Sequence, residues 1–242
     1  VCALLAGGGQ AELAVAPEGQ VMALPDTVDL VTAAALPEVS ATVWSNLVMI
    51  AGLTQGETVL IHGGASGVGT MAIQVAHALG AQVIATAGPA EKVARCRELG
   101  AHVAISYRDE DWVAATLDAT NGRGADVILD IMGASYLERN VNALAAGGRL
   151  VIIGLQGGVT AELNLSALLT KRATIHATSL RSRPLTEKAE ICSAVVAGLW
   201  PLIAAGKVKP VIHTTLRMNQ VAEAHLLVAN NEHIGKVLLT TP

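Results

Sequence analysis

TVLIHGGASGVGTMAIQVAHALGAQVIATAGPAEK, residues 58 to 92, reads as an apolar strand, a glycine-rich turn, a helix and a second apolar strand. A pyrophosphate reaches backbone N–H groups at a helix N-terminus only where side chains stand clear. Gly64, Gly67 and Gly69 supply such a bare backbone. Gly64 is expected to make the turn out of the strand Thr58 to His62, the amides around Gly67 and Val68 to face the phosphates, and Gly69 to let the helix pack on the sheet. Ser66 departs from a strict G-x-G-x-x-G at its middle glycine, so the strand before and the helix after carry part of the reading. The same residues exclude a P-loop, because Thr70 and Met71 stand where Lys and then Ser or Thr are needed. A nucleophile elbow, G-x-S-x-G, begins with Gly64, Ala65 and Ser66 but meets Val68 at its fifth position.

The residues after the second strand bear on which dinucleotide is bound. An acidic residue there holds the ribose 2'-hydroxyl of NAD and repels a 2'-phosphate. The strand Gln82 to Thr86 runs into Ala87 and Gly88, and the first acid is Glu91, inside a helix that Pro89 is expected to start as its first residue. NADP(H) is therefore favoured. A phosphate at this helix N-terminus would meet Lys92 and also Arg95, while Tyr107, after the third strand, offers a hydroxyl. The competing reading makes Lys92 a solvated helix lysine.

Composition narrows the function classes. The 242 residues are 52% hydrophobic with no Phe, so the core is aliphatic and aromatic platforms for single-stranded nucleic acid are missing. A net charge of −4 likewise argues against a phosphate-backbone binder. The uncharged stretch from Thr58 to Ala90 is rich in glycine and contains Gln74 and His77, which speaks against a membrane span. Cys2, Cys96 and Cys192 are odd in number and far apart, as expected in a reducing, cytoplasmic compartment. The histidines are scattered, with no metal-ligand spacing. His62, at the mouth of the glycine turn, is set between a buried structural role and a catalytic one. Val1 rather than Met opens the chain with no leader pattern, as expected of a fragment or a processed protein.

Further strand-like runs follow at His102 to Ile105, Val127 to Asp130, Arg149 to Ile153 and Thr174 to Thr178, separated by segments of helical period. The fold class is α/β, a doubly wound parallel Rossmann sheet of order 3-2-1-4-5-6, with ligands at the carboxyl ends of the strands. Those ends hold the glycine turn, Asp130 to Gly133, and Gly154 to Gly157. Met132 and Gly133 bring bare backbone toward a nicotinamide ribose. Asp130 either bonds a ribose hydroxyl or caps a helix beginning near Ser135. Gly154, Leu155, Gln156 and Gly157 read as a mobile loop whose main chain holds the carboxamide. Residues 1–38 and 181–242 read as pieces of a second domain split by the Rossmann domain 39–180, with strands Gly9 to Val15 and Lys236 to Leu239 and two helices between Pro184 and Asn230.

HGGASGVGTMAIQVAHALGA, TAGPAEK, SYRDED, NVNALAAGGRLVIIG, SLRSR and IGKVLL together resemble the zinc-free quinone oxidoreductases of the medium-chain dehydrogenase/reductase superfamily, and within them the p53-inducible quinone oxidoreductase subgroup. The resemblance runs through the whole chain, from VCALLAGGGQAELAVAPEG and PEVSATVW onward. It implies that the outer pieces are remnants of a GroES-like barrel domain and that the protein is a homodimer joined sheet edge to sheet edge. It places Thr42 near the nicotinamide, Gly67 and Val68 near the pyrophosphate, and Gly88, Lys92 and Tyr107 near the 2'-phosphate, with Gly133, Leu155 and Lys236 completing the cofactor cleft. Where the family often has Ser or Thr beside that glycine, this chain has Pro89, which lacks both a hydroxyl and an amide donor and is expected to weaken the NADP preference. The front of a family member, with most of the barrel, has no counterpart here.

The implied activity is metal-independent hydride transfer from NADPH to a quinone or another conjugated carbonyl, driven by placement of the nicotinamide C4. No side chain is assigned as catalytic. Tyr107 and Tyr136 lack a lysine four residues later, so the Tyr-Lys pair of short-chain dehydrogenases is missing. An enoyl-thioester or alkenal reductase shares the cofactor cleft, and an inactive cofactor-binding sensor or scaffold stands as the alternative from another class.

Overall fold

The computed structural model describes residues 1–241. The chain divides into two compact units, Val1–Trp44 with Ser66–Met71 and Leu180–Pro242, and Ser45–Ala65 with Ala72–Ser179.

The second unit is built on six strands: β1 (Thr58–Ile61), β2 (Gln82–Ala87), β3 (Val103–Ser106), β4 (Ala125–Asp130), β5 (Leu144–Ile152) and β6 (Thr174–Ala177). They pair in parallel in the order β3-β2-β1-β4-β5-β6, the doubly wound order expected. Strands covered on both faces read as unbroken apolar runs. Val59, Leu60 and Ile61 of β1 are fully buried, and Leu60 lies in register with Ile84 on one side and Ile128 on the other. The strand order reverses between β1 and β4, where such sheets collect ligands at their carboxyl ends. At the opposite end the Arg149 guanidinium donates to both Glu57 carboxylate oxygens at 2.8 Å and to the Ala51 carbonyl at 2.9 Å, which ties β5 to the approach of β1. That paired contact holds the Glu57 carboxyl below its usual range.

In the first unit Cys2–Ala3 pairs antiparallel with Val21–Met22, and Ile212–Arg217 pairs in parallel with Lys236–Thr240. The expected strand Gly9 to Val15 does not form: the segment is irregular, and Leu13 and Val15 are 90% and 95% exposed. Alternation alone makes no strand where neither a partner ladder nor a face to bury is present. Three α-helices, Leu185–Gly198, Trp200–Ala204 and Val221–Ala229, stand where two were expected. The break at Leu199 follows from Pro201, which has no N–H to donate and whose ring crowds the preceding turn. Gly198 lies against the Trp44 ring, in space that a Cβ would fill, and the Trp200 indole donates to the Ala23 carbonyl at 2.7 Å.

Candidate cofactor site

The glycine turn follows β1 and leads into the helix Gly67–Ala78. The backbone reversal falls on Gly63, at φ 67°, and not on Gly64 as expected. Gly64 is glycine for a packing reason: a Cβ there would stand 2.7 Å from Cys96 Sγ and 3.0 Å from Ala85 Cβ. Its amide donates to the Thr86 carbonyl at 2.8 Å, fixing the turn on β2. Burial beneath this turn pushes the Cys96 thiol up to about 12, so it is an inert packing group.

Ser66 explains its own departure from the glycine pattern. Its hydroxyl accepts from the Gly69 amide at 3.0 Å and its carbonyl accepts from Thr70, the bonds of a helix N-cap. The cap takes up the Gly69 donor, so the bare amides expected to face a phosphate are those of Gly67 and Val68. Ser66 also bridges to Gly235, and a Cβ on Gly67 would meet Lys236 Cδ at 2.5 Å, so Lys236, from the far end of the chain, lies on the turn. Thr42, 7% exposed on the helix Pro37–Val43, donates its hydroxyl to Glu38 at 2.9 Å.

On the six-stranded unit, Gly88 follows β2, and a Cβ there would stand 2.9 Å from the Tyr107 hydroxyl and 3.4 Å from Arg108 Nε. Pro89 is the N-cap of the helix Ala90–Glu98, with ψ 156°, and not its first residue. Lys92 is buried, which displaces the solvated reading. Burial first, and the charge of Arg108 second, hold its ammonium below the usual lysine range. Arg95 is turned to Glu98 at 2.7 Å. Arg108 escaped the sequence reading because it sits among Asp109, Glu110 and Asp111 and passes for part of a solvated charged run.

Asp130, fully buried at the end of β4, accepts from the Met132 amide at 2.8 Å and the Gly133 amide at 2.9 Å. It therefore serves the capping role, although the turn it caps starts at Gly133 as a 3-10 helix before the α-helix Leu137–Ala143. Burial raises its pKa against those two amides. Gly133 has φ 73°, and a Cβ there would meet Leu155 Cδ2 at 2.7 Å and the Gly154 carbonyl at 3.2 Å, so Gly133, Gly154 and Leu155 lie together. The segment 154–158 is irregular and carries backbone bonds to its neighbour. Gln156 and Gly157 donate to the Ile131 and Met132 carbonyls, and Ala134 and Ser135 donate back to Gly158 and Gly157.

His62 fills the structural role. It is 1% exposed, with Nδ1 3.0 Å from Thr86 Oγ1 and Nε2 2.8 Å from Asn140 Oδ1. Trp112 and Tyr136 pack edge-on against it at 4.6 and 4.9 Å. Burial pulls its pKa down to about 4, which keeps the ring neutral.

The residues match one established family. A zinc-binding dehydrogenase family model covers residues 67–195. The chain belongs to that family, within the medium-chain dehydrogenase/reductase superfamily. Human quinone oxidoreductase is 30% identical over 96% of this chain and 69% of its own length. The structure of Escherichia coli quinone oxidoreductase complexed with NADPH superposes with a TM-score of 0.82 at 29% identity, over 91% of this chain and 68% of that one. A structure of an NAD-dependent alcohol dehydrogenase gives a TM-score of 0.86 at 33% identity, over 97% of this chain and 66% of that one. This chain thus spans about two thirds of such proteins. The family name implies zinc, yet among the described residues no three His, Cys, Asp or Glu side chains gather as a metal-ligand group. The described residues offer no donor set that fits zinc. No helix among the described residues is long and apolar enough to cross a membrane.

Proposed function

We propose that this chain carries the cofactor machinery of an NADPH-dependent oxidoreductase that delivers hydride to a quinone or another conjugated carbonyl without a metal. The single observation that carries the reading is Gly88. Its bare backbone lies beside the Tyr107 hydroxyl, with the buried Lys92 on the helix that follows and no acid at the strand end where NAD enzymes need one. The complex of the Escherichia coli relative with NADPH supports the same cofactor here.

When bound, NADPH supplies the hydride from its nicotinamide C4. The residues of the chain bind and orient. Gly67 and Val68 offer amides at the N-terminus of a twelve-residue helix, where the helix dipole favours a pyrophosphate. Lys236, resting on Gly67, adds a cation to the same turn, and Thr42 is assigned to the nicotinamide side. On the six-stranded unit, Gly88, Lys92 and Tyr107 receive the 2'-phosphate. Gly133, Gly154 and Leu155, with Met132 beside them, present main chain to the nicotinamide half, held in place by the buried Asp130. Rate enhancement comes from placement of the two reactants, with no side-chain nucleophile.

The reading extends to a homodimer joined at β6, an open sheet edge that pairs with β5 alone. It also takes 39–180 as the Rossmann domain, and 1–38 with 181–242 as parts of a GroES-like domain. Three cysteines without a disulfide favour a cytoplasmic setting. The test is NADPH oxidation, followed by absorbance, with series of quinones, enones and enoyl thioesters. Turnover of quinones is the expected result. Turnover confined to enoyl thioesters would move the protein to the reductase alternative, and tight NADPH binding with no turnover of any acceptor would leave the sensor or scaffold reading.

A further inference from the structure

The first unit holds a cavity of about 80 Å³, lined by Leu4, Leu5 and Leu180 and by three charged residues, Glu38, Arg181 and Lys188. Lysine is rarely buried without a partner of opposite charge. Lys188 is 5% exposed, and its Nζ donates to a neutral acceptor, the Arg181 carbonyl, at 2.8 Å. An ammonium carries three N–H donors, so two remain beyond that bond. Among the described residues Lys188 has no ion pair, and Glu38 accepts the Thr42 hydroxyl at 2.9 Å instead. The helix does not call for a cation here either. Lys188 stands in the first turn of Leu185–Gly198, where the helix dipole opposes positive charge. A charge taken out of water costs free energy unless an opposite charge or further hydrogen bonds offset it.

We propose that this cavity binds a short organic carboxylate, its oxygens on the Lys188 ammonium and its carbon stem against Leu4, Leu5 and Leu180. The volume, several waters' worth, suits a molecule of a few carbon atoms. Lys188 and Arg181 set against Glu38 leave a formal surplus of one positive charge around the space. A carboxylate matches that surplus, whereas the second charge of a phosphate would meet Glu38 with nothing to balance it. The leucines give the stem an apolar surface that inorganic anions cannot use. None of these residues is assigned to the cofactor, so the site is tested independently of that reading.

The test is calorimetric titration of the chain with crotonate and with crotonamide, its uncharged counterpart of similar shape, and with inorganic phosphate as a third probe. The wild type should prefer crotonate to crotonamide by about tenfold, the scale of one charge-assisted hydrogen bond. Lys188→Met keeps the stem of the side chain and removes its donors, and should abolish the preference. Arg183→Ala, which removes a cation paired with Glu187 at 3.3 Å on the same segment, should keep it. Each variant is checked for folding by its melting curve. In the wild type, where folding is not in question, the Lys188 side-chain resonances should shift in NMR spectra with crotonate and not with crotonamide. No preference, or no such shift, in the wild type overturns the proposal whatever the variants do. A preference that survives in folded Lys188→Met removes Lys188 from the site, and one lost equally in Arg183→Ala reduces it to diffuse charge. Phosphate bound as tightly as crotonate overturns the carboxylate as the ligand.

Discussion

The carboxyl ends of β2 and β4 flank the same central strand and treat charge in opposite ways. After β4, Asp130 is sealed from solvent and satisfied by two amides, and the following segment is laddered onto 154–158 by backbone bonds. After β2, Arg108 lies beside the bare backbone of Gly88, burial and then the charge of Arg108 lower the Lys92 pKa, and Asp109 and Glu110 accept from Ser106. One end is a buried carboxylate closed by two amides, and the other is a cluster of mixed charge around Gly88. A polar cluster closed on itself positions a backbone, while a cluster of mobile charges around a bare glycine can reorganise about a ligand.

The comparison breaks most visibly at Asp130. Asp130→Ala leaves the Met132 and Gly133 amides without acceptors in a buried turn, a loss of about 2–5 kcal/mol of stability, read as a drop in the urea midpoint. Asp130→Asn, which keeps one acceptor oxygen, is expected to lose roughly half as much. A small effect for both would mean that the closed cluster is not what holds this end.

His62 sharpens the same point through pH. Its folded pKa, about 4, lies below its ordinary value of 6.5. The unfolded chain therefore binds more protons in this interval, and stability rises with pH. The contribution is fully present above about pH 6.5 and is lost as pH falls toward 4, amounting to about 3 kcal/mol over the window. Urea unfolding at a series of pH values should show that slope, and His62→Gln should flatten it. A slope that persists in the variant would place the titration elsewhere.

At the end after β2 the expected effects are read on binding. Lys92→Met removes a buried cation whose pKa burial already lowers, and its effect is read on cofactor affinity. Affinity for NADPH should fall about tenfold, and that for NADH much less, by calorimetry. Arg95→Ala is the smallest effect. Its ion pair with Glu98 is exposed on both sides and contributes at most about 1 kcal/mol, so neither melting nor NADPH affinity should move appreciably.

The six strands were legible to within a few residues because each buries both faces and so announces itself as an apolar run. The segment Gly9 to Val15 carried an alternating pattern but no partner, and pairing is a property of the fold that alternation cannot report. The bonding of segment 154–158 was hidden for the converse reason. Its glycines describe a loop, while the bonds that fix it reach back to residues 131–135 across the sheet. At the candidate site the glycines, Lys92 and Tyr107 were readable from spacing and from the resemblance. The place of Arg108 beside Gly88 was not, since it depends on how the segment after β3 turns. The displacement of the reversal from Gly64 to Gly63 was likewise invisible, because two adjacent glycines are interchangeable in a pattern and differ only in what lies beneath them, here Cys96.

The packing of Trp112 makes the two units separately visible to light. It is the one tryptophan of the six-stranded unit, fully buried and stacked on Tyr136 at 5.1 Å, with the Arg139 guanidinium 4.4 Å from its ring. Trp44 and Trp200 belong to the other unit, and the chain has no further tryptophan. Replacing either set by phenylalanine turns the intrinsic emission into a meter for one unit at a time, so that loosening of the nucleotide-binding sheet can be followed without a label or an acceptor.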